Sequence, residues 1–289
     1  MAETLPINNP FGAPVYYKES VTSTMDEVRL LSEKESGTVI AAGEQSAGRG
    51  RAGRFWNTGK KENLSFTIVL RYSGIGEFPP ALTLRTGLAV THAIEDFTAL
   101  AADSQNSPLA GRILLKWPND VMLLDRTGQG RKAVGILTEA EGGNVYIGVG
   151  VNIGQRNFPP ELVQKACSIG QALSEENYLT DVQAEQLSKN LFEKRFTLLE
   201  MILSRLCDEL KNAAFQHNWR NRLEERLYMK DKKVAFTPGP PDELSRGSVP
   251  AIEGILLGIG ETGELRILEE SGELHSFVTG ELSTTPTCH

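Results

Sequence analysis

The spacing of apolar residues changes once along this chain, near residue 225, and that change limits the folds open to it. From about residue 15 to 225, stretches with helical three- and four-residue spacing are interspersed with strand-like runs. Beyond that point come only short apolar segments cut by Pro and Gly, at 233–236, 252–259, 264–268 and 275–278, a pattern that predicts a small β-barrel or sandwich-like module. A division into residues 1–225 and 226–289 also suits a chain of 289 residues, at roughly 150 per domain.

Within the first unit, Thr24-Met-Asp-Glu27 has capping-box spacing and predicts a helix running to Lys34 and ended by Gly37. Strands are expected at 38–42 and 64–70, and an amphipathic helix at 81–101, where Val90, Ala93, Ile94 and Phe97 share a face. Three more strands, at 113–117, 133–138 and 145–153, resemble a meander. One helix carrying Leu187, Leu191, Leu198, Ile202 and Leu206 on a single face should follow, then another from Asp208 to about Leu227. Strands grouped apart from helices predict an α+β fold with a mixed sheet rather than a doubly wound one.

Net charge is −7, which argues against nucleic-acid binding by the whole chain but leaves room for a local basic site. Cys167, Cys207 and Cys288 are an odd, scattered set without CxxC, so neither a disulfide framework nor a zinc ribbon is expected. The N-terminus lacks the basic start and apolar core of a signal peptide, and no apolar run approaches the roughly 18 residues of a membrane span. A reducing, cytoplasmic setting is the expectation. The four histidines, His92, His217, His275 and His289, are scattered and receive no role.

Gly48-Arg-Gly50-Arg-Ala-Gly53 satisfies GxGxxG, yet the next residues read as a loop, and Leu70 and Arg71 stand where a dinucleotide site needs an acid. A P-loop fails too, because five residues separate Gly53 from Gly59 and Lys60 is followed by Lys61. What remains is a loop in which Arg49, Arg51 and Arg54 are interleaved with glycine, just before Trp56. Glycine lets backbone approach an anion, and guanidinium grips phosphate or carboxylate with paired donors. The loop has little to bury, so it is expected to be mobile and to order on its ligand.

Lys116-Trp-Pro-Asn-Asp120 ends a predicted strand, with Pro118 leaving Asn119 and Asp120 to project from a fixed turn. These two are either ordinary turn formers or, for Asp120, an oxygen ligand for nucleotide-borne Mg²⁺. Lys132 enters an apolar strand three residues before Gly135, and Asn152 is the one polar side chain in Gly148-Val-Gly150-Val-Asn152-Ile-Gly154. A half-buried amide there needs partners, which a ligand could supply.

Taken in order, Ser23-Thr-Met25, Gln45-x-x-GRGRxGRxW, Lys116-WPND, Lys132-x-x-GIL and GVGVNIG span about 130 residues, and together they resemble the biotin protein ligases (biotin–[acetyl-CoA-carboxylase] ligases). The C-terminal Gly254-Ile-Leu-Leu-Gly, Thr262-Gly-Glu-Leu and Gly280-Glu-Leu look like the small SH3-like β-barrel that closes these enzymes. The resemblance implies a catalytic domain of the biotin/lipoate ligase type. It also implies two steps: biotin and ATP give biotinyl-5′-AMP, and a lysine of a biotin carboxyl carrier protein then takes the biotinyl group.

Carried over position by position, it implies that Ser23, Thr24, Met25, Gln45, Arg49, Gly50, Arg51 and Lys132 contact biotin or its adenylate, with Lys132 and Arg51 catalytic. Trp56, Asn119, Asp120 and Asn152 would serve ATP, Trp56 packing on adenine and Asp120 turned toward Mg²⁺. Many members have Asn where this chain has Met25, which removes one possible hydrogen bond. Only 22 residues precede Ser23, so the DNA-binding domain of the repressor-type ligases is not expected. Rival readings are a lipoate–protein ligase or octanoyl transferase of the same broad fold, and a non-catalytic anion- or RNA-binding module. Whether the protein is a monomer or a homodimer is left open.

Overall fold

The computed structural model describes residues 3–56, 62–239 and 250–283. Up to residue 224 the elements are β1 (Glu3–Thr4), β2 (Val15–Val21), α1 (Thr24–Leu30), β3 (Val39–Gln45), β4 (Leu64–Arg71), α2 (Leu82–Ala101), β5 (Ile113–Lys116), β6 (Asp120–Leu124), β7 (Gly130–Glu141), β8 (Asn144–Val151), α3 (Ile169–Glu176), α4 (Asp181–Glu193), α5 (Arg195–Lys211) and α6 (Ala213–Glu224). Five strands follow: β9 (Lys233–Pro238), β10 (Ile252–Ile259), β11 (Leu265–Glu269), β12 (Leu274–Phe277) and β13 (Gly280–Ser283).

The first eight strands form one sheet in the order β1-β2-β3-β4-β8-β7-β6-β5. It is mixed, because β2 and β3 run parallel, with Val15 opposite Val39, while the other neighbours are antiparallel. Alternation along the strands sends side chains to two faces. Ile40, Val69 and Tyr146 meet Met25 and Val28 of α1, whereas Val39, Ala41, Ile68 and Leu70 belong to the larger core that includes α2 and α5. Each fully buried Ile, Leu or Phe there contributes about 1.5–3 kcal/mol from burial. The sheet's β5 edge carries a further bridge: Leu115 N donates to Arg226 O and Tyr228 N to Leu115 O, setting Leu227 parallel to Leu115.

The last five strands make a second, antiparallel sheet in the order β12-β11-β10-β9-β13. Its core residues, Phe236, Leu256, Ile259 and Ile267, are continuous with the main core. Trp117 bridges the sheets, its ring 5.7 Å from that of Phe236 and its Nε1 donating to Gly263 O at 3.0 Å.

The α+β expectation is met, and several details differ from the sequence reading. The helix expected to reach Lys34 stops at Leu30, and its cap is Ser23, whose Oγ accepts from Met25 N. Lys34 closes the other end instead, donating from Nζ to Arg29 O and Leu31 O, the use of a lysine suited to orphan helix carbonyls. The helix drawn through Leu187 to Leu206 is two helices broken at Lys194, because α4 packs on α3 while α5 packs on α2. The next break falls at Asn212, whose side chain accepts from Ala214 N and starts α6. Strands at Val15–Val21, Asp120–Leu124 and Gly280–Ser283, and helix α3 with its Ser168/Gln171 capping box, were not anticipated.

Candidate functional site

A cleft of about 590 Å³ opens between the main sheet, the loop after β3 and the last strand of the second sheet. All twelve residues singled out from the sequence line it: Ser23, Thr24, Met25, Gln45, Arg49, Gly50, Arg51, Trp56, Asn119, Asp120, Lys132 and Asn152.

One end is a bowl of neutral polar groups. Gln45 ends β3 beside the start of α1, and its Oε1 accepts from Thr24 N at 2.8 Å and from Thr24 Oγ1 at 3.1 Å. These bonds orient the amide so that Nε2 is left to donate into the cleft. Thr24 Oγ1 also lies 2.9 Å from Thr67 Oγ1 on β4. Thr67 carries no motif signal in the sequence, and only the pairing of β3 with β4 brings it here.

The glycine–arginine loop is tightly folded through residue 56. Gly50 N donates to Arg54 O and Trp56 N to Gly48 O, both at 2.8 Å, around a single turn of 3₁₀ helix at Arg51–Gly53. The three guanidinium groups part company. Arg49 reaches outward to Asp26 at 2.7 Å, Arg51 points inward with Nη1 3.5 Å from Asn119 Oδ1, and Arg54 pairs with Glu281 of β13. Burial lowers the affinity of Arg51 for its proton, with Asp120 opposing the shift.

Trp56 lies flat across two glycines. A Cβ on Gly150 would sit 2.3 Å from its indole, and one on Gly135 2.7 Å, so only glycine admits the ring at either position. Its Nε1 is buried and has no hydrogen-bond partner among the described residues. Lys132 Nζ stands 5.4 Å from the ring centroid and 2.7 Å from Asp120 Oδ1.

The backbone fixes these groups. Asp120 does not project from a free turn, as expected; it is the first residue of β6, paired with Lys116 across a reversal at 117–119 that contains the cis Trp117–Pro118 peptide. Asn119 is held at both its backbone and its side chain, with Ile136 N donating to Asn119 O and Asn119 Nδ2 to Ile136 O. Lys132 is clamped by the 165–167 segment, its N–H donating to Lys165 O and its carbonyl accepting from Cys167 N. Asn152 Nδ2 donates to Cys167 O at 3.2 Å, so part of its hydrogen-bonding capacity serves that clamp.

Four further residues complete the site. Lys116 is largely buried, and burial pushes its ammonium below the usual lysine range against the pull of Asp120 and Glu281. Arg54, Tyr228 and Glu281 line the cleft as well, Tyr228 accepting from Gly130 N at 3.2 Å. Arg54 and Lys116 sat inside recognised motifs; Glu281 lay in Gly280-Glu-Leu but was given no site role, and Tyr228 gave no local signal. Arg51, Arg54, Lys116 and Lys132 thus face two carboxylates, Asp120 and Glu281, leaving a cationic site in an acidic chain. Neither described cysteine offers a nucleophile here. Cys167 lies outside the cleft lining, and burial pushes its thiol up to about 12; Cys207 lies near Pro10, and Cys288 falls outside the described residues.

Fold and cleft together define a mixed α+β domain with a cleft that is neutral at one end and cationic at the other. The sequence model of the family described as "Biotin/lipoate A/B protein ligase family" matches residues 16–154. The chain is 32% identical over 173 residues to "Bifunctional ligase/repressor BirA" of Bacillus subtilis, covering 57% of this chain and 48% of that protein. It is 36% identical over 137 residues to "Biotin--[acetyl-CoA-carboxylase] ligase" of Paracoccus denitrificans, covering 45% and 51%. It therefore spans about half the length of these curated relatives. Among solved structures, "Biotin protein ligase from Aquifex aeolicus in complex with biotin and ATP" superposes with a TM-score of 0.65 over 93% of this chain and 97% of that one, at 24% identity, a likeness of fold.

Proposed function

We propose that this protein is an ATP-dependent biotin protein ligase. The observation that carries the reading is the division of one cleft into a neutral hydrogen-bonding bowl and a fixed group of cations. A cyclic urea has one acceptor and two N–H donors. Gln45 Nε2 supplies a donor, and the hydroxyls of Thr24, Thr67 and Ser23 supply acceptors. A carboxylate tail leaving the bowl would reach Lys132 and Arg51.

In the first step the carboxylate, already ionised at neutral pH, attacks the α-phosphorus of ATP. The bond from that phosphorus to the bridging oxygen breaks, and pyrophosphate leaves. Negative charge builds on the phosphoryl oxygens, and pre-placed Lys132 and Arg51 stabilise it without reorganisation. In the second step the ε-amine of a carrier-protein lysine attacks the acyl carbon and AMP leaves, giving an amide. No side-chain nucleophile is required. Trp56, Asn119 and Asn152 would hold the nucleotide. Mg²⁺ fits the donor set, since it is commonly held by one or two carboxylates and substrate phosphates, and Asp120 would be its protein ligand. The ion would offset phosphate charge.

The finer assignments belong to the same reading: the division near residue 225, a second sheet of SH3-like type, and a biotin carboxyl carrier protein as acceptor. A cytoplasmic setting is part of it too. Among the described residues no helix is long and apolar enough to cross a membrane. The test is pyrophosphate release from Mg²⁺-ATP by the purified protein, with biotin against lipoate and the adenylate identified by mass. Biotin-dependent release is the expected result. Lipoate dependence would transfer the reading to the sister ligases, and silence with both, from folded protein, would favour a binding module.

A further inference from the structure

Met25 lies at the blind end of the cleft, directly behind the polar bowl. It is 3% exposed, and its ε-methyl occupies the corner above Gly148, 2.8 Å from where a Cβ on that residue would stand. The same Cβ position is 3.6 Å from Thr67 Oγ1, so the methyl fills the space between the threonine hydroxyl pair and β8.

The wall has no room to retreat. Val28, Ile40, Val69 and Tyr146 pack behind it as a separate buried cluster. Its backbone is held at both ends, by Ser23 Oγ accepting from Met25 N and by Arg29 Nη1 donating to Met25 O at 3.2 Å. Arg29 is itself fixed, 2.6 Å from Glu139 and stacked 4.3 Å over the Tyr146 ring.

We propose that Met25 is a specificity-determining residue that closes the bowl against a substituent on the part of the ligand's polar ring edge that faces Gly148. This rests on the reading that the bowl takes the ureide of biotin. A bare ureide reaches the hydroxyl pair and Gln45 and stops there. A group added to the ureide nitrogen that faces Gly148 must enter the corner that the methyl fills, and close-packed interiors do not yield such volume cheaply. Shortening Met25 to alanine empties that corner, because Gly148 contributes no side chain to it.

The test measures binding without ATP, by calorimetry, using biotin and biotin methylated on the ureide nitrogen that faces Gly148. Wild-type protein should bind biotin and discriminate strongly against the methylated compound. Met25→Ala should bind the methylated compound at least tenfold more tightly than wild type does. The donor lost on methylation is common to both proteins and cancels in that comparison. Met25→Leu, close in volume, should keep the discrimination, and Met25→Val can replace the alanine variant if that one does not fold. A Met25→Ala or Met25→Val protein that binds biotin yet gains nothing for the methylated compound would overturn the proposal. Absence of biotin binding by the wild type is a different result: it would remove the ligase reading, and the proposal with it.

Discussion

Arg54 and Glu281, 227 residues apart in sequence, pair guanidinium to carboxylate with Nη1 3.0 Å from Oε1, and so tie the glycine–arginine loop to the last strand of the second sheet. The hydrogen bond to Glu281 raises the hold of Arg54 on its proton, and Arg54 keeps the Glu281 carboxyl below the usual carboxylate range. Both side chains remain well exposed, at 63% and 46%, so solvent screens the pair. A double-mutant cycle on Arg54→Ala and Glu281→Gln, read by urea unfolding, should give a coupling of about 0.2–1 kcal/mol. It should fade in about 1 M salt, where the screening length is only about 3 Å. Because the folded Glu281 pKa is depressed, the contribution is present above the ordinary carboxylate pKa and is lost as pH falls through the lowered one. A coupling that survives high salt would show that the two halves are joined there by something other than charge.

Lys132 and Arg51 should separate chemistry from binding. Lys132→Ala is expected to slow adenylate formation by about 10²–10³-fold, the usual cost of one donor aimed at developing charge. Single-turnover pyrophosphate release checks this beside the Kd for biotin, which should weaken far less. Equal losses in rate and binding would place Lys132 in ground-state recognition only.

Gly150→Ala should displace Trp56, because the new Cβ would lie 2.3 Å from the indole. Overpacking of this kind typically costs about 1–3 kcal/mol. If the strain falls on the nucleotide subsite, affinity for ATP should drop by roughly tenfold or more, since each 1.4 kcal/mol is a factor of ten. Tryptophan fluorescence should shift, and Trp56→Phe in the same protein should restore part of the binding. Wild-type ATP affinity and an unshifted spectrum in Gly150→Ala would contradict this placement of the ring.

Burial, reinforced by Arg222 and Arg226, lowers the His92 pKa to about 4 from 6.5. The folded protein therefore keeps this ring neutral where the unfolded chain protonates it. Stability should be lost as pH falls from about 6.5 toward 4, by up to about 3 kcal/mol from this group alone. Urea unfolding between those limits, compared with His92→Gln, should show a steeper decline for wild type. Parallel pH profiles would mean that His92 is solvated in the native state.

Local chemistry made much of the site legible. The glycine-spaced strand from Gly148 to Gly154 drew notice for Asn152, and the structure lays Met25 and the Trp56 ring against Gly148 and Gly150. Lys132 stood out as a charge entering an apolar strand, and Asp120 lies against it. Proline misled at 118: the reversal is so tight that Asp120 rejoins the ladder at once. The parallel strand Val15–Val21 was hidden because Tyr16-Tyr-Lys-Glu-Ser20 shows no clean alternation, lying toward one side of the sheet. Thr67 and Tyr228 carry no pattern of their own, and Gly280-Glu-Leu marked Glu281 as part of the second module and not of the site. They reach the cleft through strand pairing and packing between segments far apart in the chain, which a single sequence does not display.

The bridge between Leu115 and Leu227 has a consequence for how this molecule can associate with others. An open sheet edge offers unpaired N–H and C=O groups on which a foreign strand can grow. Here both outward-facing groups of Leu115 are already taken by the protein's own chain, through Arg226 and Tyr228. The middle of that edge is thereby closed to sheet extension, and a strand from another molecule finds no free main-chain group at Leu115 on which to add.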